Sequence, residues 1–454
     1  MRLRTVPAAF SILLLCILSG CRGDGLKMNH NAADISTTPD EHTMLAGFAA
    51  RNELSTELHL PLYTHCLVVS DGKDKACIIS NDLMEIQPDL SLEWRKEISE
   101  KSGLPLDRIF MHCIHTHSAP RNGGWRAEPG GSNYSHKERL HRVLVENAVK
   151  TITEEAAFRP FKMEVGKTQT SINGNRCEKE TGPVDRDVYA VRFLERSGKP
   201  IVSIMNLACH PVCMGHKSLL VSSDYPGVAA RILKEAWGGD VFQLTGAAGN
   251  MDPARGPRMV DYAEECGRSL ADSLLTVKFG RVRPTGELKV VNDTVGLPFR
   301  IAEVTPEAVE AHAAELIRKW GGELSLNWSW NQDVEGWKNL ILSRFAEGKV
   351  KNTLDFTMGA VNINGVIFFF TQGEPFCEYQ TAARSHFPGR TVIFAGYTNG
   401  QNSYLPSAHA YEYRKGYEYE IDQMHVYIKA PYPLSDSMPE AFAAGIDKTI
   451  KQAL

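Results

Sequence analysis

The sequence lacks a surplus of charge of either sign. It has 50 Lys and Arg residues against 54 Asp and Glu residues, and a formal net charge of −4. A nucleic-acid-binding protein normally carries a concentrated basic surface, so this balance argues against that class. After residue 25 the sequence also lacks any apolar run of about 18 residues, which argues against a chain that crosses a membrane repeatedly.

The cysteines lack the spacing of a zinc site built from thiolates alone. No two cysteines are separated by two residues, which is the usual spacing in such sites. Several cysteines lie in apolar segments, where we expect buried thiols. Cys66 and Cys77 flank a turn at 71–74 and could face each other across a hairpin.

The N-terminal segment has the pattern of a targeting signal. Arg2 and Arg4 precede an apolar stretch at 8–18 that is too short to span a bilayer. The sequence Leu-Ser-Gly-Cys that ends at Cys21 resembles the lipid-attachment motif of bacterial lipoproteins. We therefore expect a lipidated Cys21 that anchors the protein to the bacterial cell envelope, at the outer membrane or its periplasmic face. The alternative is an ordinary secretory signal with a chance cysteine.

Three segments are predicted along the chain. Residues 1–20 are expected to be the signal peptide, 21–32 a polar tether and 33–454 a single domain. Strands and helices alternate through this domain without a repeat, a low-complexity run or a clear linker. The predicted fold class is therefore α/β, a single mixed-sheet domain with helices on the faces of the sheet.

Two histidines, separated by one residue, lie at the end of a predicted strand. The segment 108–117 is predicted to be extended, and residues two apart in a strand share a face. His115 and His117 would then point the same way, in front of the glycine-rich stretch 121–124. Two such imidazoles can bind one metal ion, or one can bind while the other holds a water molecule. Partly exposed histidines without a function are the alternative.

Two further polar residues follow apolar strands. His210 follows the apolar segment 201–208, and Glu374 follows the very apolar segment 366–371. Sites in α/β proteins are built at such strand ends. A carboxylate there must be paired, protonated, metal-bound or at a helix N-terminus. Each residue alone has an ordinary structural explanation.

Taken together, these motifs resemble one family, the neutral/alkaline ceramidases, which are extracellular zinc amidases. The resemblance is to the catalytic N-terminal domain of that family, and its motifs occur in order along nearly the whole chain after the signal. They are 34–39, 80–83, 115–118, 171–176, 210–211, 222–227, 246–253, 373–374 and 402–404.

The resemblance implies roles for seven residues. The zinc ligands would be His115, His210, Glu374 and Tyr404, and the catalytic or substrate-orienting residues would be His117, Arg176 and Tyr417. Tyr417 lies one residue further from Tyr404 than the family spacing predicts, and the glycine-rich segment 246–253 is altered.

The resemblance implies a zinc-dependent hydrolase with a neutral-ceramidase-like fold, which would cleave an amide (N-acyl) bond by metal-activated water. One alternative is a carbohydrate-active hydrolase or deacylase on the same fold. Another is a surface lipoprotein that binds glycans or lipids without catalysis. The expected partners are a small-molecule, lipid or glycan substrate and a membrane, bound through Cys21. The sequence does not determine the oligomeric state.

Overall fold

The computed structural model describes residues 25–454, except 49, 124, 255, 321–329 and 402. The predicted signal peptide and Cys21 therefore lie outside the described residues. The strands, in chain order, are β1 (Lys27–Asp34), β2 (Tyr63–Ser70), β3 (Lys75–Asn81), β4 (Ile109–Cys113), β5 (Arg159–Pro160), β6 (Lys162–Gln169), β7 (Asn173–Asn175), β8 (Asp187–Leu194), β9 (Pro200–Leu207), β10 (Asp240–Thr245), β11 (Met251–Pro253), β12 (Gly280–Arg281), β13 (Leu288–Pro298), β14 (Thr353–Ile363), β15 (Val366–Thr371), β16 (Glu374–Pro375), β17 (Thr391–Ala395) and β18 (Tyr404–Leu405).

Helices separate these strands. They are α1 (Pro88–Ser102), α2 (Tyr134–Thr153), α3 (Asp224–Trp237), α4 (Val260–Leu275), α5 (Pro306–Trp320), α6 (Trp330–Ala346), α7 (Cys377–His386), α8 (Ala408–Tyr413), α9 (Met424–Tyr427) and α10 (Met438–Ala453). In the part of the chain that the structure describes, no helix combines the length and apolar character needed to cross a bilayer.

The first sheet has the order β4-β3-β2-β1-β5, and α1 and α2 pack against it. Strand β1 pairs with β2 along its whole length, from Lys27 opposite Ser70 to Asp34 opposite Tyr63. The predicted tether at 21–32 is therefore too long, because the chain is part of this sheet from residue 27 onward.

Two further large sheets follow, beside two short two-stranded sheets, β7 with β11 and β16 with β18. The second has the order β10-β9-β8-β6-β12, with α3 and α4 against it, and the third has the order β13-β14-β15-β17, with α10 against it. The hairpin between β14 and β15 turns at Asn364 and Gly365, both with positive φ, as the sequence predicts. Buried side chains from all three sheets, among them Leu67, Ile204 and Phe368, share one apolar core.

Each of these three large sheets contains one parallel strand pair, and the three pairs end at the same place. The pairs are β3 with β4, β9 with β10, and β15 with β17. His112 on β4 joins them, since its Nδ1 lies 2.9 Å from the carbonyl of Gly396 and its Nε2 accepts the backbone N–H of Thr245 at 3.0 Å. The carboxyl ends of these six strands thus lie around one point, and α/β proteins build sites at such strand ends.

The mixed α/β class predicted from the sequence is confirmed, with the strands divided among several sheets. The predicted strand at 108–117 is too long, because β4 ends at Cys113. His115 has a φ of 72°, a left-handed conformation that cannot continue a strand. His115 and His117 are consequently not alternate residues of one strand.

Candidate metal centre

His115 is fixed by the loop that follows β3. Its backbone N–H donates to the carbonyl of Leu83 at 2.9 Å, and its ring Nδ1 lies 2.9 Å from the carbonyl of Met84. A carbonyl oxygen can only accept, so Nδ1 carries the proton and Nε2 of the neutral ring keeps its lone pair. Hydrogen bonds of this kind orient histidines that bind metals.

His210 is held in the same way from another sheet. It lies three residues after the end of β9, and its backbone N–H donates to the carbonyl of Met251 at 2.8 Å. Its Nδ1 lies 2.7 Å from the carbonyl of Ala248, which again leaves the lone pair on Nε2. His115 and His210 thus present the same ring atom toward a common point.

Glu374 completes the group, on the short strand β16 that follows β15 of the third sheet. Gly373 before it has a φ of 75°, which turns the chain sharply after β15. The buried carboxylate places Oε2 3.0 Å from Nε2 of His210 and 3.3 Å from Nε2 of His115, while the side-chain amide of Gln401 contacts Oε1. Burial alone would raise the pKa of Glu374, but attraction to the protonated forms of the two histidines holds that pKa well below its usual range.

His117 borders this group on one side. Its Nε2 lies 3.2 Å from Nε2 of His115, and its ring contacts Phe48 edge-on with 5.0 Å between centroids. Its Nδ1 is buried and has no hydrogen-bond partner within the described ranges. Burial, with the charges of His115 and His210, lowers the pKa of His117 well below its usual value, so the ring is neutral near pH 7.

The arrangement fits a bound cation. Nε2 of His115 and of His210 are acceptors, and each faces an acceptor oxygen of Glu374 at 3.0–3.3 Å. Such contacts are favourable only when a proton or a metal ion lies between the atoms. Two ligand atoms about 2.1 Å from a tetrahedral zinc ion lie about 3.4 Å apart, which is close to these separations. His115, His117 and His210 can each supply one nitrogen, and these nitrogens lie within 4.8 Å of one another.

Tyr404 and Arg176 lie next to this cluster. Tyr404 is directly opposite Glu374 in the parallel pairing of β16 and β18. The guanidinium of Arg176 lies 4.8 Å from the centre of the Tyr404 ring. Arg176 is held there because its Nε donates to the carbonyl of Gly249 at 2.9 Å and its Nη2 pairs with Glu420.

Tyr417 is engaged elsewhere. Its buried hydroxyl donates to Oε1 of Glu178 at 2.9 Å and lies 3.3 Å from Oδ1 of Asn175. The structure therefore brings together six of the seven residues singled out from the sequence and gives the hydroxyl of Tyr417 a structural partner. The predicted part of Tyr417 in orienting substrate stays a prediction.

Sequence reasoning missed two residues beside the centre. The ring of Tyr397 stacks on that of His115 with 4.4 Å between centroids, and its buried hydroxyl has no hydrogen-bond partner in the described chain. Its only signal in the sequence is its place two residues after β17. Glu85 has no such signal, yet burial raises its pKa to about 7, against the opposing effect of His115.

The fold and the site define a mixed α/β protein with a buried His/His/carboxylate centre where three sheets meet. A family model described as "Neutral/alkaline non-lysosomal ceramidase, N-terminal" matches residues 28–246. The predicted resemblance to the neutral/alkaline non-lysosomal ceramidase family is thereby confirmed.

Named relatives support this relationship. Neutral ceramidase A of Dictyostelium discoideum is 21% identical over 212 residues, which is 43% of this chain and 30% of that protein. The crystal structure of neutral ceramidase from Pseudomonas aeruginosa matches with a TM-score of 0.68 at 17% identity, over 94% of this chain and 74% of that one. A structure described as ceramidase complexed with C2 matches with a TM-score of 0.67 at 16% identity, over 95% of this chain and 76% of that one. These matches show that this chain has the same fold as the two solved structures.

Proposed function

We propose that this protein is a zinc-dependent hydrolase that cleaves the amide bond of an N-acyl lipid. The observation that carries the proposal is the convergence of His115, His210 and Glu374 at one buried point, each from the segment that follows a strand of a different large sheet. The relationship to the ceramidase family supports a lipid amide as the substrate class.

Zinc is the metal that suits these ligand atoms. Imidazole nitrogens and a carboxylate oxygen are typical ligands of zinc, and a catalytic zinc site leaves a position open for water or substrate. We propose His115, His210 and Glu374 as ligands, with Tyr404 as the fourth. When bound, the ion would supply a Lewis acid and lower the pKa of a water molecule toward about 7.

His117 is proposed to move the proton in this reaction. Its ring is neutral and buried, and its Nε2 faces the centre, 3.2 Å from Nε2 of His115. It can accept a proton as water adds to the amide carbonyl carbon. It can then return that proton to the nitrogen as the carbon–nitrogen bond breaks, so that the products are a carboxylic acid and an amine.

Arg176 is proposed to orient the substrate carbonyl. Its guanidinium keeps its charge at all relevant pH values and lies against the ring of Tyr404, beside the proposed ligand set. A donor fixed in advance near a developing oxyanion stabilises the transition state without reorganisation during the reaction. The contacts with Gly249 and Glu420 would fix it in this way.

We also propose that the protein acts at the bacterial cell envelope, anchored through a lipid on Cys21. The support is the lipid-attachment motif that ends at this residue, after a short apolar stretch. A membrane anchor would hold the enzyme close to an N-acyl lipid substrate.

The proposal is tested by metal analysis and a substrate panel. Purified protein is stripped with a chelator, reloaded with zinc, and assayed for release of a fluorescent fatty acid from an N-acyl sphingosine. N-acetylated polysaccharide serves as the comparison substrate. We expect hydrolysis of the lipid amide that depends on zinc. Hydrolysis of the polysaccharide alone would refute the lipid substrate, and equal activity with and without zinc would refute the metal mechanism.

A further inference from the structure

A second group of metal-ligand side chains lies outside the candidate metal centre. His30 on β1, His65 on β2 and Asp240 at the start of β10 each offer one ligand atom, and these three atoms lie within 4.8 Å of one another. The group joins the first sheet to the second. The proposed mechanism uses none of these residues.

The two imidazoles are buried and held in place. The side chains of His30 and His65 are 7% and 6% exposed, and both rings stack on the ring of Phe242, with centroid distances of 6.1 and 5.1 Å. Ring stacking fixes the direction in which the nitrogens point. Because both rings are already fixed beside Asp240, binding an ion would cost them little further side-chain entropy.

The two carboxylate oxygens of Asp240 have different partners. Oδ1 accepts the backbone N–H of Val241 at 3.0 Å and the ammonium group of Lys234 at 3.3 Å. Oδ2 faces the histidines, 3.1 Å from Nδ1 of His65 and 3.6 Å from Nε2 of His30. The contacts of Oδ1 orient the carboxylate so that Oδ2 remains directed at the two rings, as neighbouring groups do for ligands in metal sites.

An ordinary hydrogen bond explains only part of this arrangement. It accounts for His65 and Asp240, but Nε2 of His30 is buried and has no hydrogen-bond partner among the described residues. A buried ring nitrogen without a partner is costly, whichever tautomer is present. The separations of 3.1 and 3.6 Å from Oδ2 bracket the spacing of about 3.4 Å between two ligands of a tetrahedral zinc ion.

The group also borders open space. His65 and Asp240 line a cavity of about 370 Å³, together with Tyr63, Asp82 and Phe242. An ion held by three protein ligands has at least one position left for water or a small anion. The cavity would give solvent and metal access to that position.

We propose that His30, His65 and Asp240 form a second binding site for a divalent transition metal, distinct from the centre at His210. Two imidazoles and one carboxylate favour ions of the zinc class over Mg²⁺ or Ca²⁺, which prefer oxygen ligands.

The test measures zinc stoichiometry on chelator-stripped full-length protein by equilibrium dialysis with Zn²⁺ alone. Wild-type protein is expected to bind about two equivalents, and His65→Ala and Asp240→Asn about one each. His210→Ala is also expected to bind about one, and the double variant with His65→Ala none. Wild-type stoichiometry in both His65→Ala and Asp240→Asn would overturn the proposal.

A matched control separates this site from any histidine near a carboxylate. His141 lies 2.7 Å from Oε2 of Glu97 and stacks on Trp94, but it belongs to neither group of three possible ligands. His141→Ala should therefore bind as much zinc as wild-type protein. If it also loses an equivalent, the losses are not specific and the proposal fails.

The two metal sites can fail independently. If wild-type protein binds one equivalent that His210→Ala abolishes and His65→Ala retains, the second site is refuted while the proposed catalytic centre holds. If His65→Ala abolishes the one equivalent and His210→Ala retains it, the second site holds and the proposed catalytic centre is refuted. Because His65 is buried, its variant is checked by circular dichroism, and His30→Gln is measured beside it. Retention of two equivalents by a folded His30→Gln protein refutes the site.

Discussion

Gly47 packs against the ring of His117, and replacing it with alanine should displace that ring. Gly47 has a φ of 94°. A β-carbon built on its backbone would lie 2.2 Å from Nδ1 and 2.3 Å from Cγ of His117. Non-bonded heavy atoms such as these are normally about 3.5–4.0 Å apart, so the ring of His117 would have to move by more than about 1 Å.

The ring has little room to accommodate this movement. Arg51 donates to the carbonyl of His117 at 2.8 Å, which holds the backbone, and Phe48 lies against the imidazole edge. A displacement of about 1 Å at a catalytic group can lower the rate about 100-fold. The left-handed backbone adds a separate destabilisation of about 1–2 kcal/mol, because alanine carries a β-carbon. We therefore expect Gly47→Ala to lose about 100-fold in kcat/KM.

A second glycine supplies the control. Gly72 has a φ of 88°, almost the same as Gly47, but no heavy atom in the described ranges lies within 4 Å of its built β-carbon. Gly72→Ala should thus lower the melting temperature through the same backbone strain and leave kcat/KM within about two-fold of wild-type protein. Both variants are assayed on the N-acyl sphingosine substrate, with zinc content measured in parallel. Equal activity of the two alanine variants would refute the reasoning about His117.

Five other changes probe the site and the anchor. His210→Ala should lower bound zinc by about one equivalent, measured by elemental analysis, and leave far-UV circular dichroism nearly unchanged, because it removes a proposed ligand that lies after the end of a strand. His117→Ala should keep that equivalent and lose about 10²–10⁴-fold in turnover, whereas His115→Ala should lose both; the opposite pattern would exchange their roles. Tyr417→Phe should cost about 1 kcal/mol in thermal stability with kcat nearly unchanged, because the hydroxyl bonds to a buried carboxylate; a large loss in kcat would instead support its predicted part in catalysis. Cys21→Ser should release the protein from the membrane fraction or block its maturation, and unchanged fractionation would contradict lipidation.

The fold class could be predicted because most elements carry their own signal. The apolar strand β15 and its turn at Asn364 and Gly365 are examples. Strand β1 carries no such signal, since Asn29 and His30 in its middle are polar. Asn29 is buried only because β1 lies beside β2 and its side chain donates to the carbonyl of Thr151, a residue distant in sequence. Tertiary contacts of this kind override local propensity.

The candidate site could be predicted in part, and partly on an incorrect basis. Strand alternation placed His115 and His117 on one face, but their rings meet because His115 adopts a left-handed conformation stabilised by the carbonyls of Leu83 and Met84. Those partners cannot be read from the motif itself. The hydroxyl of Tyr417 could not be placed either, because its partner Glu178 precedes it by 239 residues.

The proposed metal centre needs residues from both halves of the chain, whose strands meet at His112. The stretch that matches the family model, 28–246, contains His115 and His210 but not Glu374, which arrives only when the third sheet docks. A partly folded chain would therefore hold two imidazoles without their carboxylate, and its affinity for metal would be correspondingly lower. An ion that binds only the native state stabilises it by about 4 kcal/mol at 1,000 times its Kd, so the proposed metal binding would link metal supply thermodynamically to completion of folding.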